Sequence, residues 1–176
     1  MNTFSDPLKI IKQVDIPENS NVADFGCGSG AYSILIAKKL ITGKVFAIDV
    51  RKDMVERLSN IADSERYDNI HVVWGDVDEK EGSRLRDNSI DYVFIVNTLF
   101  QLEDKKAALN EALRIMKHDA HIIIVDWSES YGNIGPEQRQ VVNENTAKLL
   151  IEETGFIYEK ELQAGEHHYG FVARKL

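Results

Sequence analysis

Residues 22–30 read Val-Ala-Asp-Phe-Gly-Cys-Gly-Ser-Gly, an apolar run that ends in an acid and then in glycines at alternate positions, Gly26, Gly28 and Gly30. The pattern is a strand, a tight turn and a helix start, where glycine lets the backbone take conformations barred to other residues and lets a ligand lie against the main chain. The spacing narrows the ligand. A dinucleotide loop reads G-x-G-x-x-G and holds a pyrophosphate on the helix N-terminus. This loop reads D-x-G-x-G-x-G, with Asp24 two residues before the first glycine. A carboxylate there repels a diphosphate and suits a cation such as an amino-acid ammonium. A glycine triplet can also turn a strand-to-helix corner with no ligand at all, but acids close later strands too, at Asp49, Asp76 and Asp126, and they argue for a binding site.

The elements that must position these residues alternate along the chain. Ser5-Asp6-Pro7 is a helix-start signal, with Leu8, Ile10, Ile11 and Val14 on an apolar side and Pro17 beyond the end. Strands are expected at 21–25, 44–49, 70–74, 90–96 and 120–127, helices at 31–40, 51–62, 103–116 and 136–154. Gly43 and Gly155 stand where left-handed helix caps are expected, and residues 117–119 where a turn is expected. Residues 77–88 read as a polar loop, and 128–135 as a glycine-containing loop. The last two strands, 156–162 and 169–174, leave no room for a crossover helix, so they form an antiparallel hairpin. The fold class is α/β: a doubly wound, mostly parallel sheet with an antiparallel edge.

The chain of 176 residues carries a formal net charge of −8. That is one domain, 1–176, with residues 1–20 as an N-terminal helix and connector. Acids are spread along it and no lysine and arginine block occurs, which counts against a nucleic-acid phosphate backbone as partner. No apolar stretch is long enough to span a bilayer, and residues 1–12 lack the layout of a signal peptide, so a cytoplasmic protein is expected. The lone cysteine, Cys27, offers neither a disulfide framework nor a metal cluster. Adjacent His167 and His168 would point to opposite faces of a strand, so no metal site is expected there either. Nothing in the sequence fixes an oligomeric state.

The D-x-G-x-G-x-G stretch resembles motif I of the class I S-adenosylmethionine (SAM) methyltransferases. From residue 21 to the C-terminal hairpin the chain is most similar to the small stand-alone enzymes related to quinone biosynthesis. The resemblance implies a Rossmann-like sheet of seven strands in spatial order 3-2-1-4-5-7-6, with the methionine end of SAM over the loop formed by Asp24, Gly26, Cys27, Gly28 and Gly30. It further implies that Asp49 takes the ribose hydroxyls, for which two acceptor oxygens are suited. Gly75, Asp76 and the Val77 N–H would meet the adenine edge. Val50, Met54 and Val77 would sandwich the ring, and Tyr32 and Asn97 would complete the cofactor site.

Methyl transfer displaces a neutral thioether, so most of the rate can come from alignment, and a general base is optional. Asp126, at the end of the fifth strand, is the first candidate base, with a solvated strand end or helix cap as the plain alternative. Phe100, Trp127, Tyr131 and His168 are the candidate walls of the acceptor pocket. Several substrate classes lose ground. Gln101 stands where resembling enzymes often carry histidine, no Asn-Pro-Pro-Tyr motif follows the fourth strand, and no cysteine is free to attack a pyrimidine. A small or modest-sized acceptor is therefore expected, with S-adenosylhomocysteine as product. The alternatives are a methyltransferase acting on RNA or protein, a SAM-binding protein without catalysis, and an NAD-binding domain.

Overall fold

Asp6 starts the first element: its side chain accepts from the Leu8 N–H and Pro7 opens the helix α1 (Pro7–Lys12). The computed structural model describes residues 5–132 and 134–176, so the reading of residues 1–4 lies outside it. Then follow β1 (Asn21–Phe25), α2 (Ala31–Lys39), β2 (Lys44–Asp49), α3 (Lys52–Glu65), β3 (Ile70–Trp74) and β4 (Ile90–Val96). A short 3-10 turn (Leu99–Gln101), α4 (Lys105–Ile115), β5 (Met116–Trp127), α5 (Glu144–Thr154), β6 (Phe156–Glu161) and β7 (His168–Lys175) complete the chain.

The sheet has the order β3-β2-β1-β4-β5-β7-β6. Strands β1 to β5 pair in parallel, Val22 lying beside Val45 and Tyr92, while β7 runs antiparallel between β5 and β6. Strand order reverses between β1 and β4, and a crevice at the carboxyl ends follows from that reversal. Helices α1, α2 and α3 cover one face through Ile10, Ile36 and Leu58, packed on Phe94, Val125 and Val172. Helices α4 and α5 cover the other through Leu109 and Ile151, packed on Ile95, Ile124 and Phe171. Helix α1 is thus part of a layer, and Gln13 fastens it to the hairpin by a reciprocal pair with Gln163 at 3.1 and 2.8 Å.

Three local expectations are corrected. Helix α5 begins at Glu144, not at Pro136, because the Asn143 side chain accepts from the Thr146 N–H at 2.9 Å and supplies the cap. Residues 117–119 lie within β5, where the left-handed Asp119 (φ 61°) shifts the register between Ile90–Met116 and Tyr92–His121. Helix α2 ends on extended Leu40, and Gly43 is no left-handed cap: a Cβ there would sit 2.1 Å from the Ser20 carbonyl oxygen. Gly155, with φ 106°, is the left-handed cap of α5.

Candidate active site

The three loop glycines do different work. All have positive φ, 71° at Gly26, 51° at Gly28 and 85° at Gly30. A Cβ on Gly26 would lie 2.5 Å from the Thr98 side chain, and one on Gly30 would lie 2.3 Å from Leu58 Cδ1 in α3. Those two permit close packing. At Gly28 nothing lies within 4 Å, so the loop is open to a ligand there. Its place is fixed by β2: the Gly26 and Cys27 N–H groups donate to the Ile48 carbonyl at 2.8 and 3.0 Å. Asp49 Oδ2 accepts the Gly28 N–H at 2.8 Å, and Oδ1 accepts the Arg51 N–H at 2.9 Å.

In front of this loop is a cavity of about 480 Å³, within the ~300–1,000 Å³ usual for small-molecule sites. Gly26, Gly28, Asp49, Val50, Met54, Gly75, Asp76 and Val77, all among the residues expected at a cofactor site, line it. Asp76 is exposed and turns one oxygen to the Asp78 N–H at 3.1 Å. Arg51, Asp78, Glu79, Thr98, Gln101, Leu102 and Glu103 line it too, and the sequence alone did not place them there. The acid run Asp76-Val77-Asp78-Glu79 was a signal for two of these; nothing local announces that Thr98 backs Gly26. The wall carries the carboxylates of Asp49, Asp76, Asp78, Glu79 and Glu103 against the single guanidinium of Arg51, which is itself paired with Asp53 at 2.6 Å. A negative wall opposes a polyphosphate and favours a cation. SAM, carrying a sulfonium and an ammonium, fits this set of acceptors and the open position at Gly28.

Other expected residues sit beneath or beside the cavity and are absent from its lining. Asp24 is 3% exposed and takes the Ser33 hydroxyl at 2.5 Å; burial pushes its carboxyl up to about 6, although the Ser33 bonds pull the other way. Cys27 is buried, and burial raises its thiol far above the ordinary range. Tyr32 is buried 6.1 Å from the Phe94 ring, its phenol pushed up to about 12 by burial. Asn97 has φ 52°, its N–H on the Val125 carbonyl at 2.8 Å and its carbonyl taken by the Gln101 amide at 2.7 Å.

Asp126 does not project into this cavity. It is 1% exposed, on the strand face that β5 turns to α4 and α5, directly paired with Tyr169 of β7. Its oxygens accept the Trp127 N–H at 2.7 Å and the Phe100 N–H at 3.2 Å, and burial pushes the carboxyl up to about 6 against those bonds. Trp127 points the other way and its ring lies 4.2 Å from that of His168, both side chains buried. Burial pushes the His168 imidazole down to about 4, with His167 adding to the effect. His167 leaves that face, bonding Glu129 at 2.7 Å, with its ring tilted 30° against that of the exposed Tyr131 at 3.8 Å between centroids. Phe100 is half-buried in the 3-10 turn. Among the described residues no group of histidine, cysteine and acids could hold a metal, and no helix is long and apolar enough to cross a membrane.

Comparison with known proteins agrees with this geometry. The family described as "Methyltransferase domain" matches residues 16–167. A demethylmenaquinone methyltransferase of Staphylococcus aureus is 29% identical over 122 residues, 69% of this chain and 48% of the relative. The chain therefore spans about half the length of the curated relatives it matches. A solved SAM-dependent methyltransferase from Aquifex aeolicus superposes with a TM-score of 0.89 at 27% identity, covering 99% of this chain and 92% of that one. A [4+2]-cyclase shares the fold alone, with a TM-score of 0.81 at 13% identity over 96% of this chain and 79% of that one. With the glycine cradle, the strand-end acids and the sheet order in place, the chain belongs to the methyltransferase-domain family and has the sheet order and fold of the solved SAM-dependent methyltransferase it resembles.

Proposed function

We propose that the chain moves a methyl group from SAM to a small or modest-sized acceptor by in-line displacement and releases S-adenosylhomocysteine. The observation that carries this is the cavity's make-up: an open glycine at Gly28 facing a wall of carboxylates, at the point where strand order reverses. When bound, SAM supplies a methyl carbon on a sulfonium whose departure leaves a neutral thioether. The protein's part is to bind and align. Each Asp49 oxygen already accepts one backbone N–H and keeps a lone pair for a ribose hydroxyl. Asp76 and the Val77 N–H stand at the base edge, with Val50 and Met54 beside it. Beneath the loop, Asp24 adds a buried negative charge and holds α2 through Ser33, while Cys27, Gly30, Tyr32 and Asn97 shape the loop and its flank. Trp127, His168, Phe100 and Tyr131 form the acceptor side.

Asp126 serves in this reading as a positioning group, because it is buried off the cavity and its oxygens accept the N–H groups of Phe100 and Trp127. That same fact favours a second reading, a SAM-binding protein without turnover. The printed name of the Staphylococcus relative makes a demethylated quinone the first acceptor to try. A cytoplasmic location belongs to the proposal and is supported by the buried free thiol of Cys27.

The test has two stages. SAM and S-adenosylhomocysteine should raise the melting temperature while NAD and ATP do not; stabilisation by NAD alone would sink the cofactor assignment. Conversion of SAM to S-adenosylhomocysteine in the presence of small acceptors then separates an enzyme from a binding protein, and turnover only with RNA or protein would move the acceptor class.

A further inference from the structure

We propose that Glu111, which does not line the cavity, sets the affinity of the site for the adenine end of its ligand by holding the loop that walls it. The inference rests on the SAM reading above.

Strands β3 and β4 are joined by residues 75–89, which hold neither helix nor strand. A crossover between parallel strands is usually a helix, whose own hydrogen bonds keep it in place. This one has only Val77 and Leu85 as apolar anchors on the core. A long connection of that kind is mobile unless something else fixes it.

Helix α4 supplies the fixing. Glu111 is 4% exposed, and one of its oxygens accepts both the Ser83 N–H at 3.1 Å and the Ser83 hydroxyl at 2.5 Å. Arg114 holds that carboxylate from the other side, Nε to Oε2 at 2.8 Å and Nη2 to Oε1 at 2.7 Å. Its Nη2 also reaches the Leu85 carbonyl at 2.9 Å, and Nη1 pairs with Asp87. Burial pushes the Glu111 carboxyl up, but the Arg114 and Ser83 donors outweigh it and leave the group below the ordinary range, hence charged at neutral pH.

The hold reaches the cavity through Gly82. A Cβ on Gly82 would lie 1.6 Å from the Asp76 carbonyl oxygen, and one on Gly75 would lie 2.3 Å from the Gly82 carbonyl oxygen. Main chain at 82 therefore rests directly on main chain at 75 and 76, which is cavity wall. At the start of α4, Asp78 accepts the Glu103 and Asp104 N–H groups at 2.8 and 3.4 Å, so the helix grips the loop at both of its ends. Displacing Ser83 frees Gly82, and with it the residues assigned to the base edge.

Calorimetry with S-adenosylhomocysteine and with 5′-methylthioadenosine, which keeps the adenine end and lacks the amino acid, tests this well below the unfolding midpoint. Glu111→Gln is expected to weaken both ligands by about threefold to thirtyfold. Ser83→Ala should move them in the same direction, and Lys106→Ala, a surface change on the same helix whose lysine pairs with Glu153 at 2.6 Å, should leave them unchanged. A folded Glu111→Gln that melts earlier yet binds both ligands at wild-type strength overturns the proposal, since the clasp would then be structural only. If Glu111→Gln does not fold, Ser83→Ala, which keeps its backbone N–H, decides in the same way. A wild-type chain that binds neither ligand overturns the SAM reading itself, and the role of Glu111 with it.

Discussion

Asp49 and Gly28 form one unit: the aspartate's Oδ2 accepts the glycine's N–H at 2.8 Å, so the acid that ends β2 also sets the one loop position left open to a ligand. Loss of this carboxylate should therefore act twice, on the ribose and on the loop. Asp49→Ala is expected to weaken SAM binding by about 1–3 kcal/mol, the usual consequence of leaving buried hydrogen-bonding groups without a partner. Asp49→Asn should not restore it, because both oxygens accept N–H groups and an amide nitrogen can replace neither. Calorimetric affinity equal to wild type in either variant would remove Asp49 from the site.

The loop glycines can be told apart by substitution. A Cβ at Gly28 meets nothing within 4 Å beyond its chain neighbours, so the main stability cost of Gly28→Val is its left-handed backbone, roughly 1–2 kcal/mol for a β-branched residue. Binding should fall further than that, since the side chain occupies ligand volume. Gly30→Ala should do the reverse, because its methyl meets Leu58. Ligand-free melting set against SAM affinity reads both effects, and a folded Gly28→Val that binds SAM normally would make the loop purely structural.

Asp24 and His168 give stability opposite pH dependences. The folded state holds the Asp24 proton more tightly, up to about 6 against 3.8 unfolded. That stability is whole below 3.8 and is lost as pH rises through 6, with a limiting slope of about 1.4 kcal/mol per pH unit for one proton. The folded His168 imidazole is pushed down to about 4 from 6.5, so its contribution is present above 6.5 and is lost as pH falls towards 4. Asp24→Asn, which keeps an oxygen for the Ser33 hydroxyl, should flatten the fall in melting temperature between pH 4 and 6. His168→Phe should remove the acid-side loss. Melting curves for Asp24→Asn that run parallel to wild type across this range would show that the carboxylate does not titrate as a buried group.

What the sequence made legible was whatever depends on near neighbours. Apolar runs followed by Asp49 and Asp76 mark strand ends because a strand buried inside a parallel sheet is apolar until its carboxyl end. Alternate glycines mark a turn for a similarly local reason. Gly43 shows the limit: composition marks it as a helix cap, while the real constraint is the Ser20 backbone, set by how β1 and β2 pair. Thr98 against Gly26 and Glu111 against Ser83 are contacts between distant segments, and no spacing rule reaches them. Pro136 fits a helix start as well as Asn143 does, and the cap bond to Thr146 decides between them only in the folded chain.

Asp126 is where burial and proximity to the strand ends point in different directions. As a base it would need an oxygen turned to the acceptor within reach of its proton, and its raised carboxyl, near 6, would then shape the acid limb of the rate profile. Its oxygens instead accept the Trp127 and Phe100 N–H groups, and it faces the α4 and α5 layer while Trp127 and His168 meet on the opposite face. Asp126→Asn can keep only one of those two bonds, so Phe100 or Trp127 should shift and the acceptor KM should rise, with kcat and its pH profile little altered. Removal of a true base would lower kcat by roughly 10²–10⁴-fold and abolish the acid limb. Steady-state kinetics of Asp126→Asn from pH 5 to 8, at saturating SAM, distinguishes the two, and a kcat collapse with a lost acid limb would return Asp126 to the role of base.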